Sequence, residues 1–175
     1  MSTLYASSNH SRVVAVGLAL AVVATVLWAQ IYPQVDALFI PLNLLTAQAS
    51  ATMLEFSGLP VTQEQTRLSH AGGFSCEIDY ACTALIPVLL LAAAILAWRS
   101  TWRARLAGIL GGAMLLLILN QLRLVSLVWL GVHAPAWFEM AHVWLWPGLL
   151  LAAASGYWYV WARALRVDAG YASRS

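Results

Sequence analysis

Four long apolar runs constrain the fold of this chain more than any other feature. They cover residues 13–32, 81–98, 106–130 and 143–162, and Arg123 is the one charged residue within them. A helix needs about 20 apolar residues to cross a hydrocarbon core roughly 30 Å thick. The composition is 62% hydrophobic and 9% charged, whereas soluble domains carry roughly 25% charged residues. The sequence therefore predicts an all-α integral membrane bundle of about four transmembrane helices, forming a single domain over residues 1–175.

One sizeable segment, residues 34–80, separates the first two apolar runs. Its first half, residues 37–54, is uncharged but carries several polar side chains, namely Asn43, Thr46, Gln48, Ser50 and Thr52. We interpret it as an interfacial or partly buried helix rather than a fifth span. In residues 61–79, short alternating runs flank Gly72-Gly73, which indicates a small hairpin because glycine readily takes positive φ.

The arginines predict the orientation of the bundle. With four spans, seven of the nine basic residues fall on one side, at positions 12, 99, 103, 105, 163, 166 and 174. The positive-inside rule makes that side cytoplasmic, and a fifth span at 37–54 would divide the arginines between the two sides. We therefore expect both termini in the cytoplasm. Since no clear cleavage site ends the first apolar run, we expect that run to be a retained membrane anchor rather than a signal peptide. A net charge of +2 without a basic stripe argues against nucleic acid as a partner.

Three polar side chains are expected at one depth near the external face. Cys82 begins the second run and His142 immediately precedes the fourth. Arg123 follows Leu106 by 17 residues, a rise of roughly 26 Å in a helix. Each residue also has an ordinary structural interpretation. A lone cysteine in an apolar run is usually a packed side chain, an arginine near a span end often extends to the headgroups, and a histidine at a helix start is often an interfacial polar residue. Their coincidence in depth favours a shared function, and so does the presence of an ionisable group within a span.

The three side chains suit nucleophilic catalysis. A thiolate is the reactive form of cysteine, and a helix start and a nearby cation both favour it. His142 would take the proton of the Cys82 thiol and later protonate a leaving amine. Arg123, which is always charged, would stabilise the thiolate or a tetrahedral oxyanion. This chemistry needs no cofactor.

Three further residues are candidates for supporting roles. Asn120 and Ser126 lie three residues on either side of Arg123, on the same helical face, where they would hold the guanidinium. Glu139 precedes His142 by three residues and would orient the imidazole.

Cys76 leaves two alternatives open. A disulfide with Cys82 would remove the nucleophile, and we interpret Cys76 instead as a strand residue packed within the hairpin. A metal site formed by Cys76, Cys82, His70 and His142 is the weaker alternative, because the chain has no CxxC or HxxxH pair among these residues.

Three sequence motifs together resemble the exosortase/archaeosortase family of multispanning membrane transpeptidases. They are Phe74-Ser-Cys-Glu-Ile-Asp-Tyr-Ala-Cys82-Thr-Ala-Leu, Asn120-Gln-Leu-Arg123 and Glu139-Met-Ala-His142. Their order matches the family pattern, and the short form is most similar to the exosortase H subgroup. The resemblance extends over roughly residues 46–150. Many exosortases have Cys-Ser-Gly where this chain has Cys82-Thr83-Ala84.

The resemblance implies a protease or transpeptidase of the bacterial cytoplasmic membrane. It would cleave C-terminal sorting signals of exported proteins at the external face, through a thioacyl intermediate on Cys82, and transfer the product to an envelope acceptor. Such signals comprise a short motif, one transmembrane helix and a basic tail. Arg123 and His142 would be the other catalytic residues.

Two other functions remain open at this point. The first is a non-enzymatic transport or assembly subunit in which Arg123 is a structural or binding charge. The second is a thiol oxidoreductase that uses Cys76 and Cys82.

Overall fold

A computed structural model describes residues 36–172 of the chain and, before them, only the helical positions 13, 17, 21 and 24. The side chains of residues 39–165 are described. The predicted first span, 13–32, therefore lies almost entirely outside the described residues, as do Arg12 and Arg174.

Four helices build the described part of the chain. They are α1 (Asp36–Phe56), α2 (Leu85–Ala97), α3 (Trp102–His133) and α4 (Trp146–Ala172). The runs predicted to span the membrane at 81–98, 106–130 and 143–162 fall on α2, α3 and α4. Within the described residues, α3 is the one helix both long and apolar enough to cross a membrane, and α2 is apolar but shorter.

Local sequence explains the helix boundaries. Thr101 caps α3, since its hydroxyl accepts a hydrogen bond from the Ala104 amide at 3.3 Å. The proline at position 135 follows the end of α3 and begins a 3-10 turn, Pro135–Trp137. A short helical turn, Phe138–Met140, and a π turn, Ala141–Leu145, then lead into α4.

The segment expected to be interfacial or partly buried forms α1, a helix with one buried face. That face contacts α3 and carries polar and small side chains, namely Asn43, Thr46, Ala47, Ser50 and Ala51. The Ser50 hydroxyl donates to the Gln121 side-chain oxygen at 2.9 Å. Hydrogen bonds of this kind join helices in an apolar medium, so Ser50 links α1 to α3, whereas the Thr46 hydroxyl donates to the Leu42 carbonyl within α1.

A three-stranded antiparallel sheet follows α1. Its strands are β1 (Thr62–Glu64), β2 (Arg67–Ser69) and β3 (Ser75–Glu77), in the order β1-β2-β3. The expected hairpin around Gly72-Gly73 corresponds to β2 and β3, where Gly73 has a φ of 92°. The additional strand β1 is joined to β2 by a turn that contains Gln65, whose φ is 55°. The sequence has no glycine at this turn, and the extra strand therefore escaped prediction.

Two hydrophobic clusters lie along α3. One cluster joins α1 and the sheet to the C-terminal part of α3. Its buried residues include Leu54, Leu68, Ile78, Leu124 and Val128. The other joins α2, α3 and α4 and includes Leu91, Ile95, Leu116 and Leu150. In the second cluster the Tyr157 hydroxyl donates to the Gly108 carbonyl at 2.9 Å. Small residues allow this close approach of α3 and α4, as is usual between membrane helices.

Candidate active site

Cys82 lies in a short turn immediately before α2. The 3-10 turn Tyr80–Cys82 is capped by Asp79, whose carboxylate accepts a hydrogen bond from the Cys82 amide at 3.1 Å. The Asp79 carboxylate is thus held at the turn that carries the thiol. α2 begins at Leu85, so Cys82 lies in the turn that precedes the helix rather than in its first turn. Asp79 is a residue that sequence reasoning missed, although an aspartate just before a helical turn is a recognised capping pattern.

Asn120 fixes the same turn from α3. Its side-chain amide donates to the Cys82 carbonyl at 2.8 Å, and its side chain is almost fully buried. The amide and the carbonyl of Cys82 are thus held by Asp79 and Asn120, respectively. A backbone fixed at both groups restricts where the thiol can lie.

Arg123 lies one helical turn beyond Asn120. It is partly buried and lines the same groove as Ala81 and Thr83, the two chain neighbours of Cys82. Its Nε atom is buried without a hydrogen-bond partner. The structure therefore brings together Cys82 and Arg123, two of the three residues expected from the sequence, and leaves a guanidinium donor available.

His142 lies in the π turn that precedes α4, and π turns are frequent at functional sites. Its ring lies 5.6 Å from that of Phe138, which is 5.6 Å from Phe74. Phe74 and Cys82 pack against the same hydrophobic cluster. Within the described part of the chain, no hydrogen bond joins His142 to the Cys82 thiol.

The supporting residues have partners other than those expected. Asn120 binds the Cys82 carbonyl rather than the guanidinium, because its amide faces the turn before α2. The Ser126 hydroxyl donates to the Arg123 carbonyl at 2.8 Å, a bond within one helix that serine commonly makes. Glu139 is exposed, and among the described residues it makes no ion pair with His142. Its orienting role stays a prediction.

Cys76 has the packed position expected of it. It lies on β3 opposite Leu68, both cysteines are free thiols, and Cys76 packs against the cluster beneath the sheet. Burial raises the pKa of the Cys76 thiol above its ordinary value of 9.0, so the thiol stays protonated near neutral pH. Among the residues described, no three His, Cys, Asp or Glu side chains form a group that would hold a metal ion.

A groove of about 770 Å³ opens beside the two central residues. It lies between α2 and α4, and Ala81, Thr83 and Arg123 line it near Cys82. No feature of the sequence marked this groove, because its walls come from ordinary apolar positions on helices distant in the chain.

The sequence matches the family model described as transmembrane exosortase over residues 1–161. The chain therefore belongs to the transmembrane exosortase family, which confirms the resemblance seen in the sequence. Membership of this family supports, in general terms, a transpeptidase- or protease-like role of a membrane protein that acts on exported proteins. No curated protein and no solved structure shows significant similarity to the chain.

Proposed function

We propose that this protein is a membrane-embedded cysteine transpeptidase that cleaves C-terminal sorting signals of exported proteins. The observation that carries the proposal is the setting of Cys82. Its thiol is free, Asp79 and Asn120 fix its backbone, and Arg123 brings a positive charge to the groove that Ala81 and Thr83 also line. Family membership supports substrates that are exported proteins. A sorting signal with a motif, a transmembrane helix and a basic tail is the substrate we propose.

The proposed reaction has two stages. The Cys82 sulfur attacks the carbonyl carbon of the scissile peptide, a C–S bond forms and the peptide C–N bond breaks. His142 accepts the thiol proton and donates it to the departing amine, while Arg123 stabilises the oxyanion. A nucleophile of the cell envelope then attacks the thioester and regenerates the thiol. His142 would approach Cys82 when the substrate binds, since catalytic hydrogen bonds often tighten only in the complex.

The proposed topology follows from the arginine distribution. Spans at 13–32, 81–98, 106–130 and 143–162 would place both termini in the cytoplasm and the Cys82 end of the bundle at the external face of the bacterial cytoplasmic membrane. The substrate would then meet Cys82 after its export.

Co-expression with a tagged sorting-signal protein tests the function. Cys82→Ala should abolish processing while the protein remains inserted in the membrane, and Cys76→Ala is the matched control that should retain it. Unchanged processing by Cys82→Ala would overturn the proposal.

The same assay distinguishes the two alternatives. A thiol oxidoreductase requires both cysteines, so Cys76→Ala would be as damaging as Cys82→Ala. A non-enzymatic subunit would tolerate Cys82→Ser and fail with Arg123→Leu. A transpeptidase loses its reaction in both of these variants.

A further inference from the structure

The groove between α2 and α4 has a distinct chemical character. We call it the α2–α4 groove, and its walls are mainly apolar, including Leu90 and Ala94 of α2 and Leu151 and Ala154 of α4. Arg123 is its one charged lining residue among those described. In a membrane protein, an apolar groove between helices is accessible to lipid as well as to protein.

The length and the charge of the groove together favour a lipid. Along α4 it extends from Pro147 to Tyr159, and those twelve residues rise about 18 Å. On the opposite wall it extends from Ala81, just before α2, to Ala94, over most of the predicted span 81–98. An extended acyl chain fits such a length, and a phospholipid also supplies an anion for Arg123, which an apolar transmembrane helix does not. Near the far end, the Trp158 ring packs edge-on against Trp98 at 5.2 Å.

Arg123 provides a binding point at the other end of the groove. This end includes Ala81 and Thr83, on either side of Cys82. The Arg123 Nε atom is buried and unpartnered, and no acidic side chain lines the groove among the described residues. A guanidinium without a carboxylate partner suits a phosphate, which it binds through two parallel hydrogen bonds.

We propose that the α2–α4 groove binds one glycerophospholipid, with an acyl chain between the two helices and the phosphate against Arg123. The headgroup then lies at the end of the groove formed by Ala81 and Thr83, beside Cys82. The inference goes beyond the proposed reaction and stands even if Cys82 is not a nucleophile, because it rests on the groove and on Arg123 alone.

Native mass spectrometry of the full chain in detergent tests the proposal. The delipidated protein is titrated with phosphatidylglycerol and, separately, with diacylglycerol carrying the same acyl chains. We expect one tightly bound phosphatidylglycerol per chain and binding of diacylglycerol weaker by about tenfold or more, since a charged hydrogen bond is lost. Arg123→Met should weaken phosphatidylglycerol binding by a similar factor and leave diacylglycerol binding unchanged.

Two tryptophan substitutions on α4 form a matched pair. Ala154→Trp fills the groove and should abolish the one-to-one complex. Ala152→Trp, on an exposed position of the same helix that does not line the groove, should preserve it. A phospholipid with a photoreactive acyl chain should label groove residues of the wild-type protein and of Ala152→Trp.

Several results would overturn the proposal. They are equal affinity for phosphatidylglycerol and diacylglycerol, equal lipid retention by the two tryptophan variants, or labelling outside the groove. Binding of a hydrophobic helical peptide in the groove of the delipidated protein, together with the absence of a one-to-one lipid complex in the titration, would show that a protein segment is the occupant.

Discussion

The side-chain amide of Asn120 donates a hydrogen bond of 2.8 Å to the backbone carbonyl of Cys82. This contact joins the longest helix of the protein to the turn that carries the proposed nucleophile. It also explains why Asn120 and Arg123, one helical turn apart, occur on the same face of α3. The first fixes the cysteine backbone, and the second brings charge to its thiol.

Loss of the Asn120 donor should weaken both the fold and the reaction. Asn120→Ala leaves the Cys82 carbonyl without its partner, which costs about 1–3 kcal/mol when the group is buried. We expect a lower unfolding temperature in detergent and a lower rate of substrate processing.

Asn120→Leu and Ser126→Ala complete this experiment. Leucine has a similar volume but no hydrogen-bond donor, so it should behave like the alanine variant. Ser126 binds only a carbonyl of its own helix, and its substitution should change stability by no more than about 0.5 kcal/mol. Wild-type stability and processing in Asn120→Ala would contradict the assigned role.

Asp79 should have two separable effects on Cys82. Asp79→Ala removes the cap of the turn and should destabilise the protein by about 0.5–2 kcal/mol. Asp79→Asn keeps an oxygen that accepts the Cys82 amide but removes the negative charge beside the thiol. Because a nearby negative charge disfavours thiolate, Asp79→Asn should speed alkylation of Cys82 by iodoacetamide at a fixed pH.

The alkylation rate is best measured in a Cys76→Ala background, where Cys82 is the one remaining cysteine. A rate for Asp79→Asn equal to or below that of the parent would show that the carboxylate does not act on the thiol.

Cys76 should remain unreactive at neutral pH. Burial raises the pKa of its thiol above 9.0, so in a Cys82→Ala background alkylation should become rapid only above that pH. As the pH rises, the Cys76 thiol ionises in the unfolded chain before it ionises in the folded protein. Ionisation then favours the unfolded chain, so the stability that the buried neutral thiol contributes is present below pH 9.0 and is lost at higher pH. Rapid labelling of the folded protein at pH 7 would contradict this account.

The contact between α3 and α4 should tolerate no added side chain at Gly108. A methyl group there would lie 2.5 Å from the Trp161 indole nitrogen, so Gly108→Ala should destabilise the protein by about 1–3 kcal/mol. Gly156→Ala is the matched control, because nothing lies within 4 Å of its added methyl group. The control should be neutral or stabilising by up to about 1 kcal/mol. Equal unfolding temperatures for the two variants would contradict the described packing.

The sequence predicted the helices better than the contacts at the site. A long apolar run is a local property of the sequence, and α2, α3 and α4 each overlap one of the predicted runs. The nearness of Cys82 and Arg123 also followed from depth alone. Depth does not determine rotation about a helix axis, however, and the partners of Asn120 and Ser126 could not be assigned correctly. The groove depends on two helices separated by about fifty residues, which no local pattern reveals.

The most direct test of the account is a search for the thioacyl intermediate on Cys82. The chain is incubated with a sorting-signal substrate, quenched in acid and analysed by mass spectrometry of its peptides. We predict a substrate fragment attached to the peptide that contains Cys82, released by hydroxylamine and absent in Cys82→Ala. Processing that continues in Cys82→Ala, or a wild-type reaction whose only substrate adduct lies on another residue, would contradict the central claim.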